Sequence, residues 1–127
     1  MAKILSIVET AYRATVEEQD DTILWLSHML KNGGADISVL LRANAVNYAV
    51  KGQDASGLSF GESKVTHPPE IDKDVEKMIE KGVPVYVVEE DAKDRGLSDG
   101  DLIGGIKKLK RGGLPDLIDQ HDQVWHW

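Results

Sequence analysis

The stretch GVPVYVVEEDAKDRG, residues 82 to 96, decides the fold. Pro84 to Val88 is a short run of β-branched and aromatic residues, the pattern of a strand buried on both faces. It passes directly into Glu89-Glu90-Asp91, an acidic first turn, and a short helical segment closed by Gly96. Upstream, EIDKDVEKMIEK (residues 70–81) places Ile71, Val75, Met78 and Ile79 on one helical face, with Gly82 as the stop. Helix, strand and helix at this spacing predict an α/β domain with a parallel sheet covered on both sides. In such sheets ligands sit just outside the carboxyl ends of the strands. The junction from Val88 to Asp91 is therefore where chemistry is expected.

The rest of the chain fits this frame. Lys3–Val8 (KILSIV) reads as a first strand and Glu9–Arg13 as the loop after it. Glu17–Lys31 carries Ile23, Leu24, Leu26 and Leu30 at helical spacing, and Asn32-Gly33-Gly34 ends it. Asp36–Leu41 (DISVLL) is a second strand, with a predicted short helix over Arg42–Lys51 directly after it. Asp54–Pro69 is irregular and long for a compact domain, and is expected to be a functional loop or a flap. Leu102–Leu109 is a weaker strand candidate broken by Gly104-Gly105. Leu114–His121 reads as a last helix and Gln123–Trp127 as a last strand. No internal repeat or low-complexity segment is visible.

Composition excludes more than it selects. With 127 residues, 41% hydrophobic and 29% charged, the chain is expected to form one domain over residues 1–127. No apolar run approaches the ~18 residues of a spanning helix, and Met1-Ala2-Lys3-Ile4 lacks a signal-peptide design. A cytoplasmic location is the expectation. The net charge of −7 argues against nucleic-acid and anionic membrane partners. There are no cysteines, which removes disulfides, thiolate metal sites and any cysteine nucleophile.

Signature motifs are absent. Neither GxGxxG nor a Walker A sequence occurs, and the glycine doublets read as turns, so no cofactor is expected. The histidines, His28, His67, His121 and His126, show no metal-ligand spacing. His67, in the long loop, is a weak metal candidate. Glu89, Glu90 and Asp91 could supply a general base if one were buried; the plainer reading is a first turn complementing the helix dipole. In Arg42–Ala49 (RANAVNYA), helical spacing puts Asn44, Asn47 and Tyr48 on one face. With Arg42 they look like a lining for a small polar or anionic group, though capping and core packing fit them as well.

The order of these pieces resembles the DsrE/DsrF-like family of small sulfur-relay proteins. The resemblance lies in the first strand with its Thr10-Ala11-Tyr12 loop, in Arg42–Ala49, in GVPVYVVEEDAKDRGL and in the final DQVWHW. It implies a flavodoxin-like three-layer sandwich with a five-stranded, mainly parallel sheet. It also implies assembly into trimers or hexamers, sometimes with related subunits or a sulfur-relay partner. Sulfur-transferring members carry a persulfide on a cysteine at the end of the third strand. That position falls on Val88 here, and valine cannot be a nucleophile.

Two readings are open. One is a non-catalytic, homo-oligomeric subunit that binds a partner or ligand in sulfur metabolism. The other is a ligand-binding protein or enzyme without cysteine chemistry. Its candidate site residues are Thr10, Tyr12, Arg13, Arg42, Asn44, Asn47, Tyr48, Glu89 and Glu90. The aromatic strand with Trp125 and Trp127 is a further candidate for an oligomer interface.

Overall fold

A computed structural model describes residues 2–10, 22–53, 59–64 and 70–127. In chain order it contains β1 (Lys3–Val8), α1 (Thr22–Asn32), β2 (Asp36–Leu41), a 3-10 helix (Ala43–Ala49), the short pair β3 (Ser59–Phe60) and β4 (Ser63–Lys64), α2 (Ile71–Glu80), β5 (Val85–Val88), α3 (Glu89–Asp94), β6 (Lys107–Leu109), α4 (Leu114–Asp119) and β7 (Gln123–His126). Five strands form one sheet in the order β6-β5-β2-β1-β7, and every neighbouring pair is parallel. By position in this sheet the order is 4-3-2-1-5, a variant of the open α/β sheets that run 2-1-3-4-5.

This order explains the layers. The steps from β1 to β2, β5 and β6 all move in one direction across the sheet. Right-handed crossovers then place the intervening helices on the same face. The larger core lies there: Val8, Val39, Leu41, Val85 and Val87 of the strands pack against Ile23 and Leu24 of α1, Val75 and Met78 of α2, and Tyr48 of the 3-10 helix. The step from β6 to β7 runs back across the sheet, so α4 falls on the opposite face. There Leu117, flanked by Leu114 and Ile118, covers Leu5, Ile7, Leu40 and Val88.

Most expected elements are present with small shifts at their ends; residues 17–21 of the first expected helix lie outside the described residues. The expected α-helix over Arg42–Lys51 is instead a 3-10 helix, entered through Ala43 at φ 50°. The Leu102–Leu109 strand shrinks to Lys107–Leu109. Leu102 and Ile103 are buried in the core, Ile103 N–H donates to the Ala49 carbonyl, and Gly105 turns the chain at φ 93°. A Cβ at Gly105 would lie 2.9 Å from Ile79 Cγ2, so the turn needs glycine for space as well as for φ. Inside the stretch expected to be irregular, β3 and β4 form an antiparallel pair.

Trp125 of β7 and Trp127, directly after it, are half-buried. Trp127 packs against the larger core, and its indole N–H donates to Ser6 Oγ at 3.1 Å. The large apolar side chains left exposed among the described residues are Trp25, Met29 and Val124, at 49%, 40% and 42%. No helix among the described residues is long and apolar enough to cross a membrane.

Candidate functional site

The strand registers bring Val8, Leu41, Val88, Leu109 and His126 to one edge of the sheet. The segment after each strand end helps to build that edge, which divides into two clusters.

The first cluster joins the ends of β2, β5 and β6. Asp91, in the first turn of α3, is its centre, with only 14% of its side chain exposed. Its Oδ2 accepts the Ala43 N–H at 2.8 Å, and its Oδ1 accepts from Arg111 Nη2 at 2.6 Å. Burial alone would raise the Asp91 carboxyl; the Ala43 N–H and the Arg111 guanidinium outweigh it and hold the group below its ordinary value. Glu90 accepts the Arg111 backbone N–H at both oxygens, at 2.9 and 3.0 Å, which lowers its pKa as well. The guanidinium of Arg111 is raised by its hydrogen bond to Asp91. Arg95 closes the cluster: its Nε and Nη2 donate to Asn44 Oδ1 at 3.0 and 2.8 Å, and its Nη1 to the Asp91 carbonyl at 3.1 Å. Glu90 and Asp91 of the acidic turn are therefore neither free bases nor a simple dipole complement. Together they anchor two arginines and two backbone amides.

The second cluster joins the ends of β7, β1 and β2. Glu9 Oε1 lies 3.1 Å from Arg42 Nε and 2.9 Å from His126 Nε2. These side chains are 34–55% exposed. One carboxylate thus fixes a guanidinium and an imidazole at the ends of three adjacent strands.

The other expected site residues are scattered. Thr10 is exposed beside the second cluster, while Tyr12, Arg13 and His67 lie outside the described residues. Asn44 is exposed and Asn47 half-buried, and Asn47 Nδ2 donates to the Asn44 carbonyl at 3.0 Å. Tyr48 is fully buried in the core. Three residues per turn align positions i and i+3, which keeps the asparagines together and turns Tyr48 inward. Glu89 lines a cleft of about 520 Å³ with Lys93, Leu97 and Lys108. Val88 is 1% exposed and packs into the smaller core. Among the described residues no group of three or more His, Asp or Glu could hold a metal ion.

Glu9, Arg95, Arg111 and His126 went unmarked by sequence reasoning. Apart from the Asp91 carbonyl, four positions before Arg95, their partners are 20 to 117 positions away, so spacing carries no signal. Only the placement of β7 beside β1 brings His126 to Glu9.

Fold and edge together define a small parallel α/β sandwich with a polar carboxyl edge. The chain belongs to the DsrE/DsrF-like family, whose model matches residues 6–126. Among solved structures it is similar to the ychN protein from E. coli, at 22% identity and a TM-score of 0.78 over 100% of both chains. It is also similar to the conserved protein of unknown function BT1422 from Bacteroides thetaiotaomicron (14% identity, TM-score 0.67, 98% and 95% covered). A third likeness is to the protein of unknown function MTH1491 from Methanobacterium thermoautotrophicum (14%, 0.63, 98% and 99%). At these identities the likeness is one of fold. No curated protein matches the chain.

Proposed function

We propose that this protein is a non-catalytic member of its family, an oligomeric subunit that binds a protein partner or small ligand in sulfur metabolism or sulfur relay. The observation that carries this reading is Val88. It occupies the end of β5, where the family resemblance implies a persulfide-bearing cysteine, and it is packed into the core at 1% exposure in a chain of zero cysteines. The neighbouring Glu90 and Asp91 are engaged with Arg111 and Ala43. This edge serves as structure rather than as a sulfur acceptor. Assembly into trimers or hexamers is supported by Trp25 and Met29, which sit four residues apart on one face of α1 and stay exposed.

A second reading is favoured by the Glu9–Arg42–His126 cluster. A carboxylate that holds one imidazole nitrogen leaves the other as a proton acceptor, and a neighbouring guanidinium suits an anionic substrate. On this reading the protein binds or converts a small polar molecule without sulfur chemistry.

Native mass spectrometry of protein purified from its own host separates the two. The first reading expects a species of three or six copies of the 14.0 kDa chain, alone or with a second protein. A 14.0 kDa monomer at micromolar concentration that retains a small molecule would overturn it in favour of the second.

A further inference from the structure

The cleft beside α3 is separate from both polar clusters. Its volume, about 520 Å³, lies within the range of small-molecule sites. Ala92 and Leu102 are buried at 4% and 8% exposure, and Leu97 is half-buried, so the cleft has an apolar wall. Four charged residues also line it. Two of these, Lys108 and Asp99, are paired with each other. Ser98, another lining residue, has both its N–H and its hydroxyl turned to Asp101.

Glu89 and Lys93 are left. They are four residues apart on α3, in the order that favours an ion pair. Yet neither side chain forms an ion pair or hydrogen bond among the described residues, with the other or with any third group. The cleft therefore offers one uncommitted carboxylate, one uncommitted ammonium and an apolar surface. A simple anion would use Lys93 and leave Glu89 opposing it; a simple cation would do the reverse. A molecule bearing both charges and an apolar body satisfies all three features.

We propose that this cleft binds a small zwitterion of the α-amino acid class, with its ammonium on Glu89, its carboxylate on Lys93 and its side chain against Ala92, Leu97 and Leu102. This goes beyond the reading above, since it requires neither an oligomer nor a sulfur partner. A ligand without net charge also gains nothing from, and loses nothing to, the −7 charge of the chain.

The test is calorimetric titration of the full chain with each of the twenty L-amino acids, then with two truncated forms of the best binder: its amide, lacking the carboxylate, and its des-amino acid, lacking the ammonium. Saturable binding is expected for apolar amino acids, with each truncated form weaker by about tenfold or more, the effect of one charge-assisted contact. Glu89→Gln should weaken the intact amino acid by a similar factor and, because it removes an opposing charge, should not weaken the des-amino acid. Lys93→Gln should do the same for the amide. Both residues are on the surface of α3, and an unchanged thermal midpoint checks that the variants fold. No saturable binding at millimolar concentration, equal affinity for intact and truncated forms, or indifference to both substitutions would each overturn the proposal. The native mass of Glu89→Gln reports separately on assembly, so failure here leaves the oligomer reading intact and a monomer there leaves the cleft intact.

Discussion

The two clusters at the carboxyl edge use the same residue types for different ends. At β2, β5 and β6, a nearly buried aspartate collects a backbone amide and an arginine, and a second arginine ties its carbonyl to Asn44. At β7, β1 and β2, a glutamate holds an arginine and a histidine in the open. The difference lies in burial and in the number of partners. An ion pair that also closes a backbone amide in partial burial stabilises the fold, whereas an exposed pair adds little to stability and stays available to a ligand.

Removing the centre of the closed cluster should have the largest effect. Asp91→Ala strips the acceptor from the Ala43 N–H and from Arg111. We expect a loss of about 2–3 kcal/mol in equilibrium urea unfolding; a loss no greater than that of an exposed pair would erase the distinction between the clusters. The same carboxyl sets an acid limit. Its folded pKa is depressed below 3.8, so its contribution is complete above that value and fades as pH falls through the lower folded value. The stability gap between the wild type and Asp91→Asn should therefore be constant near neutrality and close below about pH 4. A gap that widened on acidification would contradict the depressed pKa.

Val88→Cys places a single thiol at the edge of the closed cluster. Burial and the neighbouring Glu89, Glu90 and Asp91 disfavour a thiolate there, so its pKa should lie at or above ~8.5. Alkylation at neutral pH should run roughly tenfold or more below that of free cysteine. A titration midpoint well below that of a free thiol, or ready persulfide uptake from a small donor, would mean that the surroundings still favour sulfur.

Ala43→Gly should raise stability by about 0.5–1 kcal/mol. Relief of the left-handed strain at φ 50° exceeds the entropy that glycine adds to the unfolded chain. A loss instead would show that the Ala43 methyl contributes packing that outweighs the strain. The smallest effect belongs to the open cluster: Glu9→Gln and Arg42→Ala should each shift stability by less than about 1 kcal/mol. A larger loss would make that cluster a structural element like its neighbour.

The sheet was legible because its strands are continuous apolar runs. Lys3–Val8 and Asp36–Leu41 stand as read, and Pro84–Val88 differs by one residue. The same continuity puts Val88 at the edge. The 3-10 helix is not legible, because Asn44 and Asn47 share a face in either helix type, and only the backbone shows that Tyr48 leaves that face for the core. The apolar pattern runs longer than β6 because Leu102 and Ile103 are buried by a turn rather than by a strand. Arg111 and His126 could not be assigned to the edge without the strand order, a tertiary property that no local pattern encodes.

That order also has a consequence in time. β1 lies between β2 and β7, and its contacts with the second of these span the chain: Lys3 N–H donates to Asp122 Oδ2 across 119 positions, and Trp127 N–H donates to the Ile7 carbonyl. On a ribosome, β1 emerges first and meets β2 soon after, but its other side has no neighbour until residues 123–126 are made. At cellular synthesis rates that interval is on the order of ten seconds. For its duration β1, which ends up beside the edge strand β7, is itself an unpaired edge, the kind of surface that templates association between nascent chains. β1 is thus completed by a strand made long after it, and a nascent chain halted before residue 123 would carry β1 as an exposed, apolar sheet edge.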